Sequence, residues 1–149
     1  MRIGEYCNRE VVIIKSDESV KAAAELMRTH HVGDLVIVEK QNNKQVPIGI
    51  ITDRDLVIEV MAAGLAPEVL TVRDILTEQL NFVVENDSFF DALDLMRTKK
   101  VRRLPVVNHE NSLVGIITMD DILDILAEML TQVASIIKLQ QRKEVRQRS

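Results

Sequence analysis

Ser19-Val-Lys-Ala-Ala-Ala-Glu-Leu-Met-Arg-Thr-His-His-Val32 returns as Ser88-Phe-Phe-Asp-Ala-Leu-Asp-Leu-Met-Arg-Thr-Lys-Lys-Val101, 69 residues on, with 7 of 14 positions identical. Further along, Gly49-Ile-Ile-Thr-Asp-Arg-Asp55 returns as Gly115-Ile-Ile-Thr-Met-Asp-Asp121, now 66 residues on, so the intervening loop is three residues shorter in the second copy. Upstream the correspondence reaches Ile3 against Val72. Nearly all of the chain to about residue 124 is therefore a tandem repeat, and a repeat sets the architecture before any single motif is read.

Each copy runs through one order of elements. A short opening segment, Ile3–Cys7 or Val72–Leu76, precedes a brief apolar strand, Val11–Ile14 or Phe82–Val84. Ser19 and Ser88 then stand directly before apolar residues spaced three and four apart (Val20, Ala23, Ala24, Met27; Phe89, Ala92, Leu93, Met96), the signature of an N-capped amphipathic helix. The β-branched runs Leu35–Val38 and Leu104–Val107 read as buried strands, with Pro105 expected at a strand start or edge. Polar turns, Glu39–Gln45 and Asn108–Ser112, lead back through Ile48–Ile51 and Val114–Ile117, so each pair of strands should form a hairpin. Thr52 and Thr118 open a last helix. The expected fold is α+β: two β-α-β-β-α units, 1–60 and 72–124, joined by a linker at 61–71 that carries Gly64 as a helix stop and Pro67 beyond it. Residues 125–149 prolong the final helix through an apolar stripe (Leu126, Met129, Val133, Ile136, widened by Leu123, Leu130 and Ile137) and then a basic end expected to fray.

Composition narrows the function. Of 149 residues 46% are hydrophobic but only 3% aromatic, so the core must be aliphatic and base-stacking is disfavoured. A net charge of −4 confines any anion site to a local patch. One cysteine, Cys7, excludes an internal disulfide and fits a reducing, cytoplasmic compartment, and no apolar run is long enough to span a membrane. His30, His31, His109 and Cys7 lack the spacing of a metal site, and no nucleophile–base pair forms a motif. The chain reads as neither a metalloprotein nor an enzyme, and its short basic tail makes nucleic acid an unfavoured partner.

This ordered set, with Val101-Arg-Arg-Leu-Pro-Val-Val107 as its strand motif, resembles the cystathionine-β-synthase (CBS) domain family in its stand-alone, bacterial-type pair form. The resemblance implies two units packed through their sheets with pseudo-twofold symmetry, and clefts that bind AMP, ADP, ATP, S-adenosylmethionine or NAD. It also implies a homodimer that signals ligand occupancy to an effector protein.

The residues suit such a ligand. A threonine opening a helix offers a hydroxyl beside free backbone N–H groups at the positive end of the helix dipole, a place for phosphate. An aspartate one turn on, Asp55 or Asp121, matches vicinal ribose hydroxyls. Val36, Ile50, Val106 and Ile116 are the expected walls of an adenine slot, and Arg54 is expected to draw a charged phosphate tail to the first site. The second site, Thr118/Asp121, would hold a less charged ligand or borrow Arg102 or Arg103, of which at most one should face a given cleft. Thr-x-x-Asp is equally a capping box, in which the aspartate reaches back to the threonine's own N–H. Both readings stay open, because a helix at an empty site still needs its cap. The alternative function is a dimerisation module with empty clefts, or weak nucleic-acid binding through the basic C-terminal tail.

Overall fold

The computed structural model describes residues 1–76 and 78–148, in two compact units, Met1–Ile117 and Thr118 onward. The first unit holds helix α1 (Ile3–Tyr6), strand β1 (Ile13–Lys15), helix α2 (Val20–His30), strands β2 (Asp34–Gln41) and β3 (Lys44–Thr52), and helix α3 (Asp53–Asp55). A π-helical segment, Leu56–Met61, prolongs α3; β4 (Val83–Val84), α4 (Phe89–Lys99), β5 (Arg103–Val107) and β6 (Leu113–Thr118) follow. The strands form two three-stranded sheets, ordered β1-β2-β3 and β4-β5-β6. The duplicated β-α-β-β order expected from the repeat is present.

Local chemistry explains the elements. Ser19 Oγ accepts from Ala22 N at 3.0 Å, and Ser88 Oγ from Asp91 N at 3.2 Å while Asp91 returns a bond to Ser88 N at 3.0 Å. Both helices end on a left-handed residue that is not glycine, His31 (φ 54°) and Lys100 (φ 57°), whose N–H groups bond back to Met27 and Met96. In the first hairpin Asn42 and Asn43 both take positive φ, the two-residue turn that matches strand twist, so the strands run further and the turn is tighter than expected. Pro105 lies inside β5, the central strand of its sheet, rather than at a start or edge. It is tolerated there because β4 is only two residues long and its ladder with β5 begins at Val106.

The opening segments are exchanged between the copies. Gly4 N donates to Glu85 O and Ile3 N to Asp87 O, each at 2.9 Å, and Asn8 pairs in both directions with Ile116 at 2.9 Å. Reciprocally, Val20 N donates to Leu70 O at 2.8 Å and Val72 N to Glu18 O at 2.9 Å, and Arg73 forms an ion pair with Glu39. The segment that begins each copy in sequence thus completes the other copy in space. Val72, fully buried, joins the core of the first copy, Ile14, Ala23, Met27, Leu35, Ile37 and Ile51. The outer face of β2 and β3 packs on the second copy through Val36, Val38, Ile50, Leu113 and Ile116. These apolar contacts remove large aliphatic area from water, the main driving force in so aromatic-poor a chain.

The duplicated glycines mark where the exchange is tightest. A Cβ on Gly49 would lie inside van der Waals contact of Leu76, 2.9 Å from Cδ2. A Cβ on Gly115 would lie 2.7 Å from Cys7 Sγ and 2.8 Å from Asn8 O. Leu76 and Cys7 occupy corresponding places in the two openings, so both copies leave out the same Cβ for the same reason. Packing against this seam partly buries the Cys7 thiol and pushes its pKa up, partly offset by Arg9.

The second unit is one helix, α5 (Met119–Arg148), of 30 residues. It does not fray where the charges begin: Lys, Arg, Gln and Glu are good helix formers and carry it to its basic end.

Candidate functional site

The strand-to-helix corner at Thr52 is built by two opposed hydrogen bonds. Thr52 Oγ1 accepts from Asp55 N at 3.2 Å, and Asp55 Oδ2 accepts from Thr52 N at 2.9 Å. Asp53 adds a third, Oδ1 accepting from Arg54 N at 2.8 Å. The donors at this helix opening are therefore occupied by the chain's own groups: the Asp55 and Asp53 carboxylates, the Thr52 hydroxyl and the Gly33 carbonyl. In the second unit, Thr118 Oγ1 accepts from Asp121 N at 3.1 Å and Asp121 Oδ2 from Thr118 N at 3.2 Å. Both copies are capping boxes.

A cavity of about 320 Å³ opens beside the first corner, within the range of small-molecule sites. Its walls come from β3 (Gly49 to Thr52), from Asp55 and Glu59, from the opening of the second copy (Val72, Ile75, Leu76), from Glu78 to Asn81, and from Val101 to Arg103. Thr52, Asp55, Ile50, Arg102 and Arg103 are thus brought together although the arginines lie some fifty residues away in sequence.

Both arginines line the cavity, against the expectation that adjacent strand residues face opposite ways. β5 begins only at Arg103, and Arg102 sits in the bend before it, where strand alternation does not apply. Arg103 Nε lies 3.0 Å from Asp34 Oδ2 as an ion pair but is not aligned for a hydrogen bond, and this buried atom finds no acceptor among the described residues. It is a donor with capacity to spare beside the cavity.

Other expected residues fall elsewhere. Arg54 is exposed and is not part of the cavity wall, since the helix turn directs it away from the side that carries Asp55 and Glu59. Val36 and Val106 are 0% exposed and Ile116 7%, leaving little or no surface for a ligand; Val36 and Ile116 pack in one apolar cluster. Thr118 and Asp121 belong to the second unit.

Glu59, Glu78, Gln79, Asn81 and the Val72–Leu76 wall were not anticipated. One signal pointed at the last of these: a glycine repeated before Ile-Ile in both copies marks a close approach of another chain segment, here Leu76 at Gly49. Among the described residues, no group of three or more His, Cys, Asp and Glu side chains is placed to hold a metal ion, and no helix is long and apolar enough to cross a membrane.

Comparison with known proteins matches the CBS domain model to residues 3–62 and again to 72–128. A protein of Methanopyrus kandleri is 42% identical over 123 residues, covering 83% of this chain and 61% of its own length. Hypoxic response protein 1 of Mycobacterium tuberculosis is 37% identical over 118 residues, covering 79% of this chain and 80% of its own. Among solved structures, a CBS domain protein of Pyrobaculum aerophilum complexed with AMP superposes with a TM-score of 0.74 at 25% identity, covering 88% of this chain and 99% of that one.

Proposed function

We propose, because this chain belongs to the CBS domain family, that it is a regulatory module that binds an adenosine-containing ligand in the cavity beside Asp55. The carrying observation is the convergence there of carboxylates, Asp55 among them, two arginines and an aliphatic wall. Those are the three chemistries a nucleoside monophosphate needs. Asp55 Oδ2 is engaged by the cap, leaving Oδ1 to accept from ribose hydroxyls. Phosphate goes to Arg102 and Arg103, whose planar forks suit it. The helix opening is the poorer anion site, because Asp53 and Asp55 already hold its N–H groups. Ile50 and Ile75 offer the base an apolar surface. The AMP complex of the Pyrobaculum aerophilum relative supports this choice of ligand.

The charge balance favours a short phosphate tail. Asp55, Glu59 and Glu78 face two arginines, one of which already pairs with Asp34, and Arg54 stands outside. A triphosphate would bring its charge against three carboxylates. The Thr118/Asp121 motif is read the same way on its repeated sequence, with Asp120 in place of Arg54 favouring a less charged ligand still. Occupancy is proposed to be read by an effector protein or by the dimer, through whichever arrangement the ligand binds more tightly. In this reading the module is cytoplasmic and regulatory, without a reaction of its own.

One observation favours the alternative, a dimerisation module with empty clefts: both aspartates are turned onto their own main chain. Thermal unfolding with AMP, ADP, ATP, adenosine, S-adenosylmethionine and NAD separates the two. AMP at 100 times its dissociation constant should add about 2.7 kcal/mol, a shift of several degrees. If none of the six raises the midpoint, the empty-cleft module is the better account; if ATP raises it most, the charge argument is wrong.

A further inference from the structure

Helix α5 carries a stripe that the chain leaves uncovered. Leu126, Met129, Val133 and Ile136 alternate three and four apart, and all are between 41% and 65% exposed. Leu123, Leu130 and Ile137, equally open, widen the stripe on one side. On a helix of about 45 Å this is a seam of coiled-coil type.

The stripe is close to a palindrome. Leu126 and Ile136, and Met129 and Val133, are placed symmetrically about Thr131. So are Asp124 with Lys138 and Asp120 with Arg142, each acidic residue answered by a basic one. The first ten residues of α5 carry Asp120, Asp121, Asp124 and Glu128; the last eleven carry Lys138, Arg142, Lys143, Arg146 and Arg148 against Glu144. Thr131 and Ser135, on the opposite side, turn their hydroxyls onto the helix's own carbonyls, Ala127 O at 2.9 Å and Thr131 O at 3.0 Å. Their polar groups make no demand on a partner.

From this symmetry we infer that α5 pairs with α5 of a second copy of this chain, antiparallel and centred on Thr131. A twofold axis requires one patch to complement itself, so a seam residue at a given distance before the axis meets its counterpart at the same distance after it. Centring on Thr131 layers Leu126 against Ile136 and Met129 against Val133, and keeps every seam position apolar between those limits. A parallel pair would align four carboxylates with four carboxylates and the basic ends with each other. The antiparallel pair opposes them, and opposes the helix dipoles as well. Asp124, Glu128, Lys138 and Arg142 lie away from the seam, so they set the orientation through the field across the pair rather than by contact, an effect that salt weakens. This interface is independent of whether the cavity binds a nucleotide.

Disulfide mapping tests it. In full-length protein carrying Cys7→Ser, Leu126→Cys and Ile136→Cys, the two thiols of one chain are about 15 Å apart along a helix, too far to close on each other. Mild oxidation should yield covalent dimers whose peptides join position 126 of one chain to position 136 of the other. Adding Val133→Glu, at a position 55% exposed, should abolish the link while the cooperative thermal transition of the folded chain persists. Links of 126 to 126 and 136 to 136 would establish a parallel pair and overturn the proposal. Absence of any link, or a link that survives Val133→Glu, would overturn it equally.

Discussion

Replacing Gly115 by alanine tests the exchange of opening segments at its least forgiving point. The new Cβ would sit 2.8 Å from Asn8 O and 2.7 Å from Cys7 Sγ. Sulfur at the end of a side chain can swing aside; the carbonyl cannot, because Asn8 is held in both directions to Ile116 at 2.9 Å. Relief therefore requires losing those two hydrogen bonds, about 1 kcal/mol each, on top of about 1–3 kcal/mol for overpacking. The expected cost of Gly115→Ala is about 3–5 kcal/mol. Gly49→Ala meets only the side chain of Leu76 and should cost about 1–2 kcal/mol. In urea titrations with unchanged slope, the first variant should lose at least about 1 kcal/mol more than the second. Leu76→Ala should cost less in the Gly49→Ala background than in wild type, whereas Cys7→Ala should not relieve Gly115→Ala, since the carbonyl remains. Equal losses for the two glycine variants, or additive behaviour of Gly49→Ala with Leu76→Ala, would refute the packing described for the openings.

His31 and Lys100 occupy left-handed positions at helix ends, a strain of about 1–2 kcal/mol for a side chain, against an entropic cost of about 0.5–1 kcal/mol for glycine. His31→Gly and Lys100→Gly should each leave the protein more stable by several tenths of a kcal/mol in the same titrations, and a loss would contradict the assigned caps. For the cavity, Arg102→Ala and Arg103→Ala should each weaken AMP binding tenfold or more in calorimetry, from the loss of a charge-assisted hydrogen bond worth about 1.5–3 kcal/mol. Arg54→Ala should change it less than twofold, and the reverse order would return the phosphate to the helix opening. Burial raises the Cys7 pKa, so its thiolate is scarcer than that of a free cysteine at pH 7–8. A disulfide reagent should react slowly with the folded protein and faster as pH rises, and denaturant should abolish the difference; free-cysteine reactivity in the native state would place Cys7 outside the seam.

Much of the fold could be read from the chain because its signals are local and stated twice. Ser19 and Ser88 announce their helices through neighbours three residues away, and the hairpins lie between adjacent runs. The exchange of opening segments was not visible for the opposite reason: Gly4 bonds to Glu85 and Val72 to Glu18, partners that no local period reveals. The repeat itself hides the exchange, since each copy looks complete. That Thr52, Asp55 and Ile50 line one cavity was legible because a strand, a cap and a helix turn place them. Arg54 neighbours Asp55 in sequence but does not line the cavity, because neighbours on a helix point about 100° apart. The burial of Val36 and Val106 was not legible, because an apolar strand residue can serve a ligand slot or the core equally well, and only the packing of the whole fold decides between them.

The structure of the protein crystallised with AMP bears most directly on the central claim. The account predicts the nucleotide in the cavity beside β3, its ribose hydroxyls within hydrogen-bond distance of Asp55 and its phosphate against Arg102 and Arg103. A nucleotide bound elsewhere, or an empty cavity at saturating AMP with Asp55 still folded back onto Thr52 alone, would contradict it.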